Sequence, residues 1–138
     1  EAHFAYLEDI DLGWRAKIAG YRNLYAPKAR VLHVGSGTSG SRYNEFKVHL
    51  SSRNSVYLAY KNMPAFQILL HFPFLFAGFV IKYLFFVKKG LGKTYRKGLK
   101  EGLFMCRREK KVKFCWKNLP CYGRIQLELW MNIGKRFR

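Results

Sequence analysis

Acidic side chains are scarce in this chain: eight Asp and Glu stand against 26 Lys and Arg, a formal charge of +18 over 138 residues. Such a deficit points to an anionic partner, whether nucleic acid, phospholipid headgroups or a phosphorylated substrate. Cysteine is also sparse. Cys106, Cys115 and Cys121 form no CxxC pair and are odd in number, which excludes both a disulfide framework and a zinc knuckle and leaves reduced, cytosol-facing thiols. No internal repeat or low-complexity segment is present, and the length suits one ordinary domain or part of a larger one with an appendage. The first residue is Glu1 rather than Met, inside an aromatic run, which reads as a piece of a longer protein and offers no N-terminus on which to judge a signal peptide.

What is present is unevenly placed. Residues 1–87 hold ten Lys/Arg against five Asp/Glu, and residues 88–138 hold sixteen against three. Because a field acts over about 8 Å at physiological salt, the basic excess is mainly a property of the C-terminal part. Glu8 to Gly20 predicts a helix, with acids in its first turn, Arg15 and Lys17 later and a glycine at its end. Two short extended runs, Arg22 to Ala26 and Arg30 to Val34, flank Pro27 and predict a strand pair. Gly35 to Ser41 is a Gly/Ser loop. Tyr43 to Asn62 is helical until Pro64, with Phe46, Leu50 and Tyr57 on one face. Ala65 to Val87 is apolar apart from Lys82 and is long enough to cross a hydrocarbon core. Pro73, His71 and Lys82 within it leave a kinked hairpin or an in-plane helix as alternatives to a span.

The opening EAHFAYLEDIDLGWRAKIAGYRNLYAPKARVLHV resembles the family 2 glycosyltransferases of the GT-A fold, especially rhamnosyltransferase-like members. Phe4, Tyr6, Glu8, Asp9, Asp11, Leu12, Arg15, Gly20, Tyr21, Pro27 and His33 carry that resemblance, which covers roughly residues 1–63 and is weak beyond Pro64. It implies an α/β fragment, mostly helical: the C-terminal, acceptor-side portion of a GT-A domain with a short strand pair (1–63), followed by amphipathic or membrane-embedded helices with a hydrophobic segment and a basic, membrane-associating tail (64–138). The nucleotide-binding half would lie upstream, so the isolated fragment is expected to be inactive.

By the same resemblance, Asp9 is the general base that deprotonates an acceptor hydroxyl, with Glu8 ordering it or raising its proton affinity. Acids at a helix start otherwise serve the helix dipole, or cap the helix. His33 is the chain's metal ligand for a divalent cation, Mg or Mn, which neutralises the leaving diphosphate. The alternative for His33 is a hydrogen-bonded strand-end residue. Asp9-Ile10-Asp11 is itself an Asp-x-Asp string, but on a helix the two carboxylates diverge by about 200°, so Asp11 is read as a positioning residue acting through Arg15 or a neighbouring strand. The Gly/Ser loop, with Ser36 and Thr38, is read as a lid over donor and acceptor. Lys47 and Arg53 are read as substrate-binding, Arg53 belonging to an Arg53-Asn54 pair that family members often carry; a solvated helix face is the competing reading.

The implied partners are a nucleotide-sugar donor, a glycan or lipid-linked acceptor, and an anionic membrane surface at the cytoplasmic face. The apolar segment and the basic tail, studded with Tyr95, Phe104, Phe114, Trp116, Tyr122 and Trp130, fit that location. A nucleic-acid-binding module is the rival from composition, disfavoured because no such motif is present and residues 65–87 have no place in one. A non-catalytic membrane anchor is the other rival.

Overall fold

The structure is a computed structural model that describes residues 3, 5–30 and 43–135. Five helices account for most of it: α1 (Glu8–Ile18), α2 (Glu45–Asn62), α3 (Ala65–Lys88), α4 (Gly92–Arg108) and α5 (Leu119–Lys135), with a 3-10 turn at Trp116–Asn118 before the last.

Punctuation residues set the boundaries. Gly20 takes φ +91°, and Tyr21 N donates to Ala16 O (2.9 Å) while Gly20 N donates to Lys17 O, the left-handed cap that closes α1. Asn44 caps α2 by accepting from Lys47 N at 2.8 Å. Met63 and Pro64 alone separate α2 from α3: Met63 is extended, as the residue before a proline prefers, and Pro64 stands at the N-cap, just before the first helical residue, Ala65. Gly90 (φ +75°) repeats the left-handed stop after α3, with Leu91 N donating to Phe86 O at 2.8 Å, and α4 turns back along α3.

The predicted strand pair is not formed. Residues 21–26 have no regular structure, Pro27 lies in a turn closed by Ala29 N to Ala26 O, and no strand exists among the described residues, so the α/β class is corrected to all-helical there. Most of the second run, 31–34, lies outside the described residues. A strand is stabilised by a neighbouring strand, and none borders 21–26 among the described residues; Leu24 and Tyr25 stand 87% and 88% exposed. The hairpin alternative for the apolar segment is also corrected: α3 runs from Ala65 to Lys88 through Pro73 without reversing.

Two packing seams hold the helices. In the first, α2 and α4 meet at glycines. A Cβ on Gly98 would collide with Ser52 Oγ and sit 2.5 Å from His49 O, and one on Gly102 would sit 2.5 Å from Arg53 O, so the backbones touch. In the second, Ile18, Tyr122 and Ile125 form an apolar cluster with Trp14, Val112 and Leu129, joining α1 to α5. Tyr122 and Tyr95 are thus core residues, 1% and 2% exposed, rather than the interfacial aromatics that their basic surroundings suggested.

α1 is fastened to α2 by Asp11, which is 3% exposed. Its Oδ1 accepts from Asn62 Nδ2 (2.8 Å), its Oδ2 accepts from Lys61 Nζ (2.8 Å) and Arg15 Nε (3.0 Å), and His3 Nε2 lies 3.6 Å away. Burial pushes the Asp11 carboxyl upward, but the hydrogen bonds from Asn62 and Lys61 outweigh it and hold it below the usual carboxylate range. His3 is lowered, chiefly by burial, against the opposing charge of Asp11.

Both shifts make the unfolded chain the stronger proton binder, so stability falls with acid. The His3 contribution is lost as pH drops below about 6.5, and the Asp11 contribution as it drops below about 4. In chemical denaturation, Asp11→Asn should cost about 3–5 kcal/mol at neutral pH, by leaving the Lys61 cation unpaired, and should flatten the lower stage of the acid limb. Equal acid limbs in the two proteins would refute this role. At the other seam, Gly98→Ala should destabilise by about 1–3 kcal/mol because backbone must move, whereas Gly78→Ala, with open space around it, should not.

Candidate active site

The chain enters α1 through a strained turn. Tyr6 and Leu7 both have φ +69°, a region that costs non-glycine residues about 1–2 kcal/mol each. Leu7 has no side chain able to cap the helix. Asn54, in the middle of α2 and fully buried, holds this turn: its Nδ2 donates to the carbonyls of His3 (2.8 Å), Ala5 (2.7 Å) and Tyr6 (2.9 Å). Two hydrogens serve three acceptors, so at least one bond is shared. Asn54 fixes the chain just before Glu8 and Asp11 fixes it just after Asp9, so the acid pair sits between two anchors.

Glu8 and Asp9 are both exposed. Asp9 Oδ1 accepts from Ile10 N at 2.8 Å, which orients the carboxylate on its own backbone. Asp9 lines a cleft of about 360 Å³ between α1 and α5, with Gly13, Trp14, Asn23, Glu128 and Asn132 among its walls. That volume is within the range of small-molecule sites. Lys17 and Glu128 close one side of it as an ion pair. A second cavity of about 240 Å³ shares Lys17, Asn23, Ile125 and Glu128 and extends past Arg22 and Arg124, which places two cations next to the acidic cleft.

The other predicted residues fall in different places. Arg53 is half-buried: its Nε donates to Asn54 Oδ1 (3.0 Å), and its guanidinium lies 3.5 Å from Glu101 of α4, which also pairs with His49 at 2.7 Å. It therefore buttresses the residue that holds the turn before Glu8. Lys47 is half-buried in the first turn of α2. His33, Ser36 and Thr38 lie outside the described residues. Asp11 has the Arg15 partner expected of it, but its other anchors come from a helix rather than a strand.

Among the described residues no three His, Cys, Asp or Glu side chains gather into a metal site, and the Asp11 oxygens are occupied by protein donors. The described residues alone thus do not furnish a cage for a divalent ion. Two features escaped the sequence reading. Asn54 was visible only as the neighbour of Arg53, and the α5 wall of the Asp9 cleft was merged into a basic tail although Tyr122, Ile125 and Leu129 have helical spacing.

A 40-residue stretch of the chain is 45% identical to an N-acetylglucosaminyl-diphospho-decaprenol L-rhamnosyltransferase from Mycobacterium tuberculosis, in strain CDC 1551 / Oshkosh and equally in strain ATCC 25618 / H37Rv. The match covers 29% of this chain and 13% of each relative, so it spans only a small part of their length. No family model and no solved structure matches the chain. The likeness gives the chain a glycosyltransferase-like segment.

Proposed function

We propose that this chain is the base-carrying, acceptor-side part of an inverting family 2 glycosyltransferase that works at the cytoplasmic face of a membrane. Its donor is a nucleotide-diphosphate sugar and its acceptor a lipid-linked or growing surface glycan. The observation that carries the reading is the Asp9 carboxylate, exposed on a cleft at the start of a helix that is pinned on both sides. The rhamnosyltransferase likeness supports the reaction class.

In inverting transfer, the acceptor oxygen bonds to the anomeric carbon while the bond to the diphosphate breaks, and the hydroxyl proton passes to a carboxylate. Asp9 takes that proton. A rigid anchor at each end of the first turn limits its drift, and proximity effects are sensitive to displacements on the order of 1 Å. Glu8 adds negative charge beside it. His33 remains the chain's own candidate ligand for Mg or Mn, with its companion donors supplied from outside the described residues.

The membrane part of the proposal draws on α3. It is 24 residues long with a mean hydropathy of 1.9 over its most apolar 18 residues, yet its buried residues are Gln67 and His71, which bond to Tyr122 O (3.1 Å) and Gln126 Nε2 (2.7 Å) of α5. Most of its phenylalanines and leucines are exposed, with Leu75, Phe79 and Phe86 half-buried. A helix that is polar inside and apolar outside suits a bilayer, and the sixteen cations after residue 87 suit anionic headgroups. The same observation favours a second reading, a membrane anchor without catalysis, and disfavours a nucleic-acid module.

With the chain joined to its nucleotide-binding half, Asp9→Asn should lower turnover by roughly 10²–10⁴-fold with donor binding preserved; near-normal turnover would remove Asp9 from the mechanism and favour the anchor. His33→Ala should raise the metal concentration needed for nucleotide binding, and an unshifted titration would eliminate it as a ligand.

A further inference from the structure

A strongly apolar concavity lies away from Asp9. It is a groove of about 560 Å³ between α2, α3 and α4, lined by Ala59, Tyr60, Phe72, Phe76, Leu99 and Leu103 among others, with almost no polar surface. Tyr60, Leu103 and Cys106 also line a neighbouring hollow whose other walls include Lys100 and Arg107, so the groove opens into a cationic mouth. Lys111 stands there too, its Nζ 4.9 Å from the centre of the Tyr60 ring. Of the acids nearest in sequence, Glu101 is taken by His49 and Arg53, and Glu109, exposed at the end of α4, makes no ion pair among the described residues. At the lips, Phe72, Phe76 and Leu103 are exposed as well as groove-lining, so the groove opens toward the apolar surroundings that α3 requires.

We propose that this groove is a site for one acyl chain of an anionic membrane phospholipid, whose headgroup phosphate is held by Lys100, Arg107 and Lys111. Charge complementarity selects an anionic headgroup over a zwitterionic one, and the nearly unbroken apolar lining selects a hydrocarbon chain. Burial pushes the Lys111 ammonium below its ordinary value, a desolvation that a bound phosphate would offset. The inference rests on the membrane part of the reading above and is independent of the transferase part.

The test is native mass spectrometry of the detergent-solubilised chain with added phosphatidylglycerol or phosphatidylcholine, alongside flotation with vesicles of the same lipids. One phosphatidylglycerol per chain should be retained, preferred over phosphatidylcholine by roughly tenfold or more. Lys100→Gln/Arg107→Gln/Lys111→Gln should abolish that preference, and Ala59→Trp, which fills the groove, should abolish retention; circular dichroism checks that each variant folds. Vesicle binding without retained phosphatidylglycerol, or equal retention of the two lipids by the unaltered chain, overturns the groove site and leaves the membrane reading standing. Retention without vesicle binding supports the groove and sinks the membrane reading. Displacement of the phospholipid by decaprenyl phosphate at lower concentration makes the groove an isoprenoid site and overturns the acyl assignment.

Discussion

A buried carboxylate with three donors organises the N-terminal half of this molecule. Asp11 can be buried only because Lys61, Asn62 and Arg15 together replace the water that it loses, and each of those groups depends on the carboxylate in return. Since Lys61 and Asn62 end α2 while Asp11 belongs to α1, the cluster joins two helices across some fifty residues of chain. Asn54 completes the arrangement from about two turns further back in α2, gripping the carbonyls of His3, Ala5 and Tyr6 at the left-handed turn.

The consequence for function is geometric. Asp9 lies two residues from Asp11 on the opposite side of the helix, so the interaction that buries one carboxylate presents the other. Exposure and anchorage are thus divided between two acids separated by a single residue, Asp9 exposed on the cleft and Asp11 buried among its donors. The same division is seen in α3, where Gln67 and His71 point inward to α5 and most of the apolar residues are exposed.

Much of the chain's punctuation was legible beforehand, because glycine, proline and capping residues act locally. Gly20 and Pro64 each do what their backbone chemistry dictates. The face Phe46, Leu50 and Tyr57 was legible only in part: Leu50 and Tyr57 are buried, but Phe46 is 53% exposed. The strand pair failed for a reason of the same kind. Extended runs become strands when a neighbour accepts their hydrogen bonds, and residues 21–26 border none among the described residues. The basic tail hid a core helix because charge dominated its composition, while Tyr122 and Ile125 meet their partners more than a hundred residues away in α1.

By itself, then, the sequence determined roughly where α1, α2 and α3 start and stop, the concentration of positive charge after residue 87, the length of the apolar helix, and the placing of an acid pair at the start of α1. Those are consequences of backbone preference and counting, which need no distant partner. The tertiary structure alone decided which acid is buried, which wall faces Asp9, which tyrosines are core and where a lipid chain could lie. Each of these depends on groups far apart in the chain coming within a few ångströms, and desolvation and close packing are energies of the assembled helices rather than of any one segment.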